Sequence, residues 1–450
     1  MKKRAIILGL ICLSLSLSII HNEVLAQTEA LEISLAEAQN FALENNLERK
    51  NASIDVDIAK KKVWETTAQG LPQLSSGVDF QFNLGKIPTL TFPNIIFDEN
   101  YNIIGIEQLE VNAGEKTNAT FNITASQLVF SGPYIVGLQA TRFYKDLADN
   151  AFIKSTQDLK FNVASAYYTV LLLEETSSVL DSSVMNLKYT FDETKAMNKA
   201  GFVEDIVVDQ VKVSLSMVEN SAQETARQLK SAKNLLKYQM GIELSEDIVL
   251  TENLTQMIEG FAPELLSAYE VDPNQNIDLI IMSNQIEISN LQLKLEKSYF
   301  LPTVSAFATF QKLAKEPEIN FTPTTLAGVS VSFPLFSSGM RNSKVQQAKL
   351  ELEKTKNSFE LAQKGLNMEL KDATDQFKTA WEKYQSEKQN KDLAAKVYEN
   401  FRIKYSKGMA SQQDLIQAND KHLQALGNFM GSVFDLVNAK LKVDKLTGNI

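Results

Sequence analysis

Few side chains in this sequence could carry catalysis or hold a metal. Cys12 is the only cysteine, and His21 and His422 are the only histidines. His422 stands among polar residues with no fixed partner evident. The carboxylates are scattered along the flanks of a seven-residue apolar pattern, where solvation is the default, and neither a glycine-rich phosphate loop nor a clustered carboxylate motif occurs. The sequence therefore predicts no catalytic residues, no metal site and no cofactor, and so no enzyme. A net charge of −10 argues against nucleic acid as a partner. The chemistry that remains is that of surfaces: which faces meet lipid, water or another chain.

The first segment is an address. Lys2-Lys3-Arg4 is a positive start, residues 5–20 are apolar and serine-rich, and Val24-Leu25-Ala26 presents small residues before Gln27. This pattern predicts a secretory signal peptide over residues 1–26, cleaved after Ala26. Cys12 and His21 would leave with it. No later segment offers about twenty consecutive apolar residues, so no membrane-spanning helix is expected.

The elements that must position any functional surface are long helices. From Gly339 to Gly408 the chain has no proline and a single internal glycine, Gly365. Val345, Leu352, Phe359, Leu366, Ala373 and Ala380 recur every seven residues, and Leu370, Phe377, Tyr384, Tyr398 and Tyr405 keep a second register of seven. A seven-residue apolar repeat on good helix formers reads as a coiled-coil helix. Gly132 to Gly201 has the same length, with Gly137 as its only internal glycine. Sliding the chain by 207 residues superposes Gly132 on Gly339, Gly201 on Gly408 and Gly241 on Gly448. A slide of 230 superposes Leu35 on Leu265, Asn46 on Asn276, and Leu71-Pro72 on Leu301-Pro302. The pattern predicts an internal tandem duplication: a first repeat over 27–243, a connecting segment over 244–273 and a second repeat over 274–450. The slides differ by 23 residues, which assigns an insertion to the first copy within about 85–116, a stretch broken by Pro88, Pro93, Gly105 and Gly114.

Within each repeat the period switches. A helix is expected from Ser34, capped through Glu37, to Gly70, and another from about Asn274 to Phe300. Val78, Phe80 and Phe82 then alternate with polar neighbours, as do Phe121, Ile123 and Ala125, and Ala327, Val329 and Val331. Ala306, Ala308 and Phe310 do so less cleanly because Phe307 interrupts the polar set. Each repeat reads as helix, strand, strand, long helix and a helix returning after Gly201 or Gly408. The first and returning helices together match one long helix, so each copy is expected to form a two-ply rod with its strands at one end.

Four strands with one apolar face must hide both that face and their edges. A lipid-facing barrel does this, with aromatic residues at its rims. Phe130, Tyr134, Tyr299, Phe300, Phe333 and Phe336 fall where strands meet helices. Four strands cannot enclose a water-filled lumen, so the expectation is a β-barrel shared between chains, each with long coiled-coil helical hairpins. The competing reading is a non-conducting secreted coiled-coil protein, such as an adhesin or spacer, which would not need alternating strands.

With these features the chain resembles the TolC family of outer-membrane efflux channels. The resemblance rests on the duplication, on Leu71-Pro72 and Leu301-Pro302 before strands, on Phe333-Pro334-Leu335-Phe336-Ser337-Ser338-Gly339, and on Gly408 followed by Asp414-Leu415. It implies a homotrimer whose twelve strands form one barrel in the outer membrane, continued by a helical tunnel in the periplasm. It also implies a periplasmic adaptor and an inner-membrane pump as partners. Asp414 matches an aspartate that faces the pore at the closed entrance in that family, a position from which three copies would form an acidic ring. A second aspartate of the family is Gln417 here. Tyr405 matches a tip tyrosine able to join links that hold the entrance shut. The turns at Gly201-Phe202 and Gly408-Met409 match tips that contact the adaptor.

Overall fold

The computed structural model describes residues 31–99, 101, 103–112, 115–261, 272, 274–316, 320 and 322–449. The segment read as a signal peptide lies outside the described residues, as does part of the connecting segment. The chain is mainly helical and divides into two compact units. One takes in Met1–Lys50, Ser155–Val271 and Asn367–Ile450, and the other Asn51–Lys154 and Asp272–Leu366.

The chain opens with strand β1 (Leu31–Ile33), helix α1 (Leu35–Asn45) and helix α2 (Leu47–Ala68). Ser34 caps α1 in the expected way: its hydroxyl accepts from the Glu37 N–H at 3.3 Å, and the Glu37 carboxylate accepts from the Ser34 N–H at 2.9 Å. The single helix expected from Ser34 to Gly70 is in fact two. Asn46, with ψ at 127°, leaves helical geometry and ends α1. Its side chain supports both sides of the break, Oδ1 accepting from the Arg49 N–H at 3.1 Å and Nδ2 donating to the Gln239 carbonyl at 2.9 Å. The break is packed as well as capped. Gly241, at φ +75°, places its Cα so near the Asn45 carbonyl that an added Cβ would lie 2.9 Å from the oxygen.

Strands β2 (Gln73–Phe82), β3 (Thr89–Phe97), β4 (Ile103–Asn112) and β5 (Thr117–Ser131) follow, then the long helix α3 (Gly132–Lys199) and the returning helix α4 (Asp205–Met240). Pro133 sits in the first turn of α3, where its missing N–H has no helical acceptor to lose. The stretch expected to be an irregular insertion is a hairpin, β3 and β4, in a two-stranded antiparallel sheet of its own. The connecting segment includes strand β6 (Ile248–Leu250), parallel to β1, and helix α5 (Leu254–Glu259).

The second half repeats the plan with α6 (Ile277–Ser298), β7 (Thr303–Leu313), β8 (Thr325–Ser332), α7 (Met340–Ser406) and α8 (Gln412–Thr447). Asn276, the position that superposes on Asn46, is the N-cap of α6 and accepts from the Asp278 and Leu279 N–H groups. In α7 the second register of seven points inward: Leu370, Phe377, Tyr384 and Tyr398 are buried, along with Ala373 and Ala380.

Strands β2, β5, β7 and β8 form one antiparallel sheet in that order. Its register sorts the side chains by polarity. Val78 pairs with Phe121, Ile123 with Phe310, Ala125 with Ala308, Ala327 again with Ala308, and Val329 with Ala306. These all lie on one face, since pairing partners share a side of the pleat. The other face carries Asp79, Asn122, Thr124, Thr309 and Ser330. There Asn122 donates to the Asp79 carboxylate at 2.7 Å, and the Thr124 and Thr309 hydroxyls meet at 3.0 Å. Phe307, the residue that spoiled the alternation, lies on this polar face opposite Gly328 and packs across it.

Close packing fixes the turns from helix into sheet. The Tyr134 hydroxyl donates to the Thr67 carbonyl at 3.0 Å, and the tyrosine ring lies directly against Gly70. Gly132 is also packed closely, against Leu301 and the Ser298 carbonyl. Around these junctions Phe300, Phe333, Leu335 and Phe336 are exposed, and the Arg341 guanidinium sits 5.1 Å from the Phe300 ring centre.

Candidate functional site

The helical hairpins turn at two glycines with the same geometry. Gly201 at φ +83° and Gly408 at φ +70° occupy the left-handed region that glycine enters without a side-chain penalty. In each turn the next residue donates back across the last helical turn, Phe202 N–H to the Met197 carbonyl at 3.0 Å and Met409 N–H to the Lys404 carbonyl at 2.8 Å. The backbone is thus satisfied without help from Phe202 and Met409, and their side chains are left 81% and 65% exposed. The first turn is further tied by Asn198, whose amide donates to the Val203 carbonyl and the Asp205 carboxylate, each at 2.9 Å.

Beyond the second turn, Ser411 begins α8. Its hydroxyl accepts from the Asp414 N–H at 3.2 Å, while the Asp414 carboxylate accepts from the Ser411 N–H at 3.1 Å and the Ser411 hydroxyl at 2.6 Å. This reciprocal cap starts the helix. Because both donors favour the ionised form, the Asp414 carboxyl is held below its usual range, the hydroxyl having the larger effect. Sequence reading did not foresee this capping role. Only one carboxylate oxygen is engaged, and the group remains exposed. Gln417 follows one turn on and is exposed too.

Tyr405 is placed differently. It is half-buried beside the cluster of Tyr398, Leu415 and Ala418, with its hydroxyl 3.4 Å from the Thr194 hydroxyl. Thr194 is itself fully buried and lies 3.5 Å from the Gln412 amide oxygen. The structure therefore brings Tyr405 together with Thr194 and Gln412, one residue from the first hairpin and one from the second, while Asp414 and Gln417 stay outside this contact. Val207, at the position of the first copy that matches Asp414, is half-buried, and Glu204, Asp205 and Asp209 around it are exposed.

Sequence reasoning missed Thr194, Gln412 and Asn419, and left His422 with no fixed partner. Asn419 is fully buried with neither amide atom hydrogen-bonded, and the Gln412 Nε2 and His422 Nδ1 are buried without partners as well. His422 stacks on Tyr398 with ring centres 5.7 Å apart, and burial, followed by the Lys391 charge, pushes its pKa down. The signal was present as spacing, because Gln412 and Asn419 are seven residues apart on a helix whose other buried positions are apolar apart from Ser432. In an exposed heptad the same residues would be unremarked, so only packing distinguishes them.

Among the described residues no group of His, Cys, Asp and Glu could hold a metal ion. No described helix is long and apolar enough to cross a membrane. The surface fit for lipid is the apolar face of the four-stranded sheet, where Val78, Phe80, Phe82, Val329 and Val331 are exposed.

Comparison with known proteins agrees with this geometry. Residues 274–449 match the family model described as outer membrane efflux protein. The chain is 21% identical over 347 residues to the proteases secretion protein PrtF of Dickeya chrysanthemi, covering 72% of this chain and 69% of that one. It is 22% identical over 332 residues to the outer membrane protein TolC of Salmonella enteritidis, covering 70% of this chain and 62% of that protein. In fold it is similar to the CmeC outer membrane channel of Campylobacter jejuni, with a TM-score of 0.72 at 16% identity, covering 92% of this chain and 85% of that one.

Proposed function

We propose that the chain, whose residues 274–449 match the outer membrane efflux protein family model, is a member of that family and forms an exit duct at the outer membrane with its helices in the periplasm, three copies sharing one β-barrel. The observation that carries this reading is the four-stranded sheet, apolar on one face and polar on the other, with β2 and β8 paired on one side only. Open edges and an exposed apolar face are costly in water. Pairing β8 of one copy with β2 of the next removes the edges, and lipid covers the apolar face. Strands about 4.8 Å apart and tilted about 40° give a twelve-stranded barrel a radius of roughly 12 Å. The polar face, with Asp79, Asn122, Thr124 and Ser330, then lines the lumen.

The finer reading is an exit duct of a tripartite efflux or type I secretion system, carrying small molecules or polypeptides out. The naming of one relative for protease secretion supports the polypeptide branch. In this reading Phe202 and Met409, beside Gly201 and Gly408, are apolar anchors for a periplasmic adaptor that joins the duct to an inner-membrane pump. The contact of Tyr405 with Thr194 and Gln412 ties the two hairpins of one copy together near these tips. The test of the trimer is fractionation. Sarkosyl-insoluble outer membrane should hold a heat-dissociable trimer, whereas a soluble periplasmic or released monomer rejects the duct and favours the coiled-coil spacer.

Asp414 is the proposed selectivity residue of the entrance. Three exposed carboxylates related by threefold symmetry attract cations into a narrow pore, and the Ser411 donors keep each one ionised. Asp414→Asn removes the charge but leaves an oxygen to accept from the Ser411 N–H. It should reduce cation selectivity and weaken block by a trivalent cation added on the periplasmic side, with trimer yield unchanged. Gln417→Asp, adding a charge one turn on, should strengthen both. If single-channel recordings in planar bilayers show neither variant shifting selectivity or block, Asp414 is a helix cap and nothing more.

A further inference from the structure

The hairpin inserted after β2 has no role in the duct as described so far. Among the described residues β3 and β4 pair only with each other. Halfway along, a second apolar patch begins on the other face. In the half nearer the four-stranded sheet, Leu90 pairs with Val111 and Phe92 with Leu109, and these four share one face, with Val111 buried. Asn94 and Glu107 interrupt that patch, and Ile96 follows on the same face opposite Gly105. In the outer half, Ile95 pairs with Ile106 and Phe97 with Ile103 on the opposite face, and these four are 42%, 67%, 52% and 61% exposed. A lone hairpin is marginal in water, and an apolar patch on one with open edges needs cover.

The geometry restricts what the cover is. The ten residues of β2 account for the apolar band of the membrane, about 25 Å tall. The base of the hairpin is fixed just beyond them, where the Asn83 N–H donates to the Lys116 carbonyl at 2.9 Å and its side-chain amide to the Glu115 carbonyl at 2.7 Å. Lys315, from the connection between β7 and β8, pairs with Glu115 at 2.8 Å and braces the same point. The nine residues of β3 reach about 30 Å at roughly 3.3 Å each, so the outer patch lies beyond the hydrocarbon and lipid tails do not cover it. The same reach exceeds the roughly 12 Å radius of a twelve-stranded barrel. Three such hairpins start at equivalent points around one mouth, each within reach of the axis.

We infer that the outer halves of the three hairpins meet over the external mouth, the Ile95, Phe97, Ile103 and Ile106 face of each copy covered by the same face of the other two. The inference rests on the shared-barrel reading. It assigns to the insertion an apolar constriction on the cell exterior, distinct from the periplasmic entrance. A narrow apolar ring resists wetting, so it hinders hydrophilic solutes from leaking inward, and exported cargo displaces it from within.

The test uses the full-length chain carrying Cys12→Ser, which then contains no cysteine. Ile106→Cys in this background, oxidised with copper phenanthroline in isolated outer membranes, should give a covalent dimer of the chain that reductant dissolves, because the chain itself carries no other thiol. Ile95→Cys should do the same and serves if Ile106→Cys fails to assemble. A second variant replaces residues 89–112 with a short Gly-Ser linker and should raise single-channel conductance and the uptake of a large hydrophilic antibiotic. Trimers that form no cross-link at either position, or that link instead to a different protein, overturn the inference and leave the duct intact. Unchanged conductance after removal of the hairpin overturns the constriction. Absence of any trimer in the Cys12→Ser parent rejects the shared barrel instead.

Discussion

Val329→Arg is expected to remove the trimer from the outer membrane, whereas Ser330→Arg, the very next residue, is expected to leave it assembled with a lowered conductance. Val329 lies midway along β8, pairs with Ala306 and is 66% exposed on the face shared with Val331 and Ala327. An arginine on a lipid-facing barrel position near the midplane costs about 2–4 kcal/mol. In the proposed ring of three copies the cost is incurred three times within one assembly. Ser330 pairs with Ser305 on the face of Asn122 and Asp79. An arginine there stays in water and narrows the lumen. The measurement is the yield of heat-dissociable trimer in outer-membrane fractions, followed by bilayer recordings on what assembles. If the two variants are tolerated alike, or are lost alike, the assignment of the faces is wrong.

That pair can be chosen because the sheet was legible from alternation alone. A period of two needs no tertiary information when one face is wholly apolar, and Val78, Phe80 and Phe82 or Ala327, Val329 and Val331 satisfy it residue by residue. The less clean strand has a physical reason. Phe307 occupies the polar face because Gly328, directly across, leaves the space above it open. The break at Asn46 was also within reach. Asn46 superposes on Asn276 in the repeat, and an asparagine immediately before a new apolar turn is a helix start as readily as a helix interior. The continuous apolar spacing from Leu35 to Leu47 hid it, since a capped break alters hydrogen bonding without altering the face. The hairpin of β3 and β4 was read as irregular because Pro93 and Gly105 break strand patterns. In a two-stranded ribbon both positions lie on edges, where a missing N–H or side chain costs little.

The helical tips were legible to a different degree. The glycines follow from the need to reverse a long helix, and the positive φ at Gly201 and Gly408 agrees with that reasoning. The buried polar set of Thr194, Gln412, Asn419 and His422 was not legible. A coiled-coil pattern says which positions face inward, but not which neighbouring helix meets them. Unpaired amide atoms inside a helical bundle weaken it relative to apolar packing. Thr194 and Gln412 meet between the two hairpins of one copy, where such a bundle would separate with least loss.

The Phe202→Asp, Met409→Asp double variant is expected to assemble as trimers yet fail to restore export in a strain deleted for the chain. Both residues follow turns whose backbone hydrogen bonds are complete, so replacing the side chains leaves the fold unstrained. Both are largely exposed, at 81% and 65%, so little packing within the chain is lost. In the proposed complex each would be buried against an adaptor, a transfer worth about 1.5–3 kcal/mol for a large apolar side chain. A carboxylate in its place meets the same apolar pocket as an unpaired charge, which costs more than the lost burial. With three copies, six anchors are inverted at once. Susceptibility to an exported toxic compound should therefore rise to that of the deletion strain, while the trimer band stays at its original intensity. On native gels of gently solubilised envelopes the duct should run alone rather than in a larger assembly. Full complementation by the double variant would remove the tips from the adaptor contact. Loss of the trimer band would instead mean that these side chains support assembly, a result at odds with their exposure in the single chain unless the copies meet at their tips.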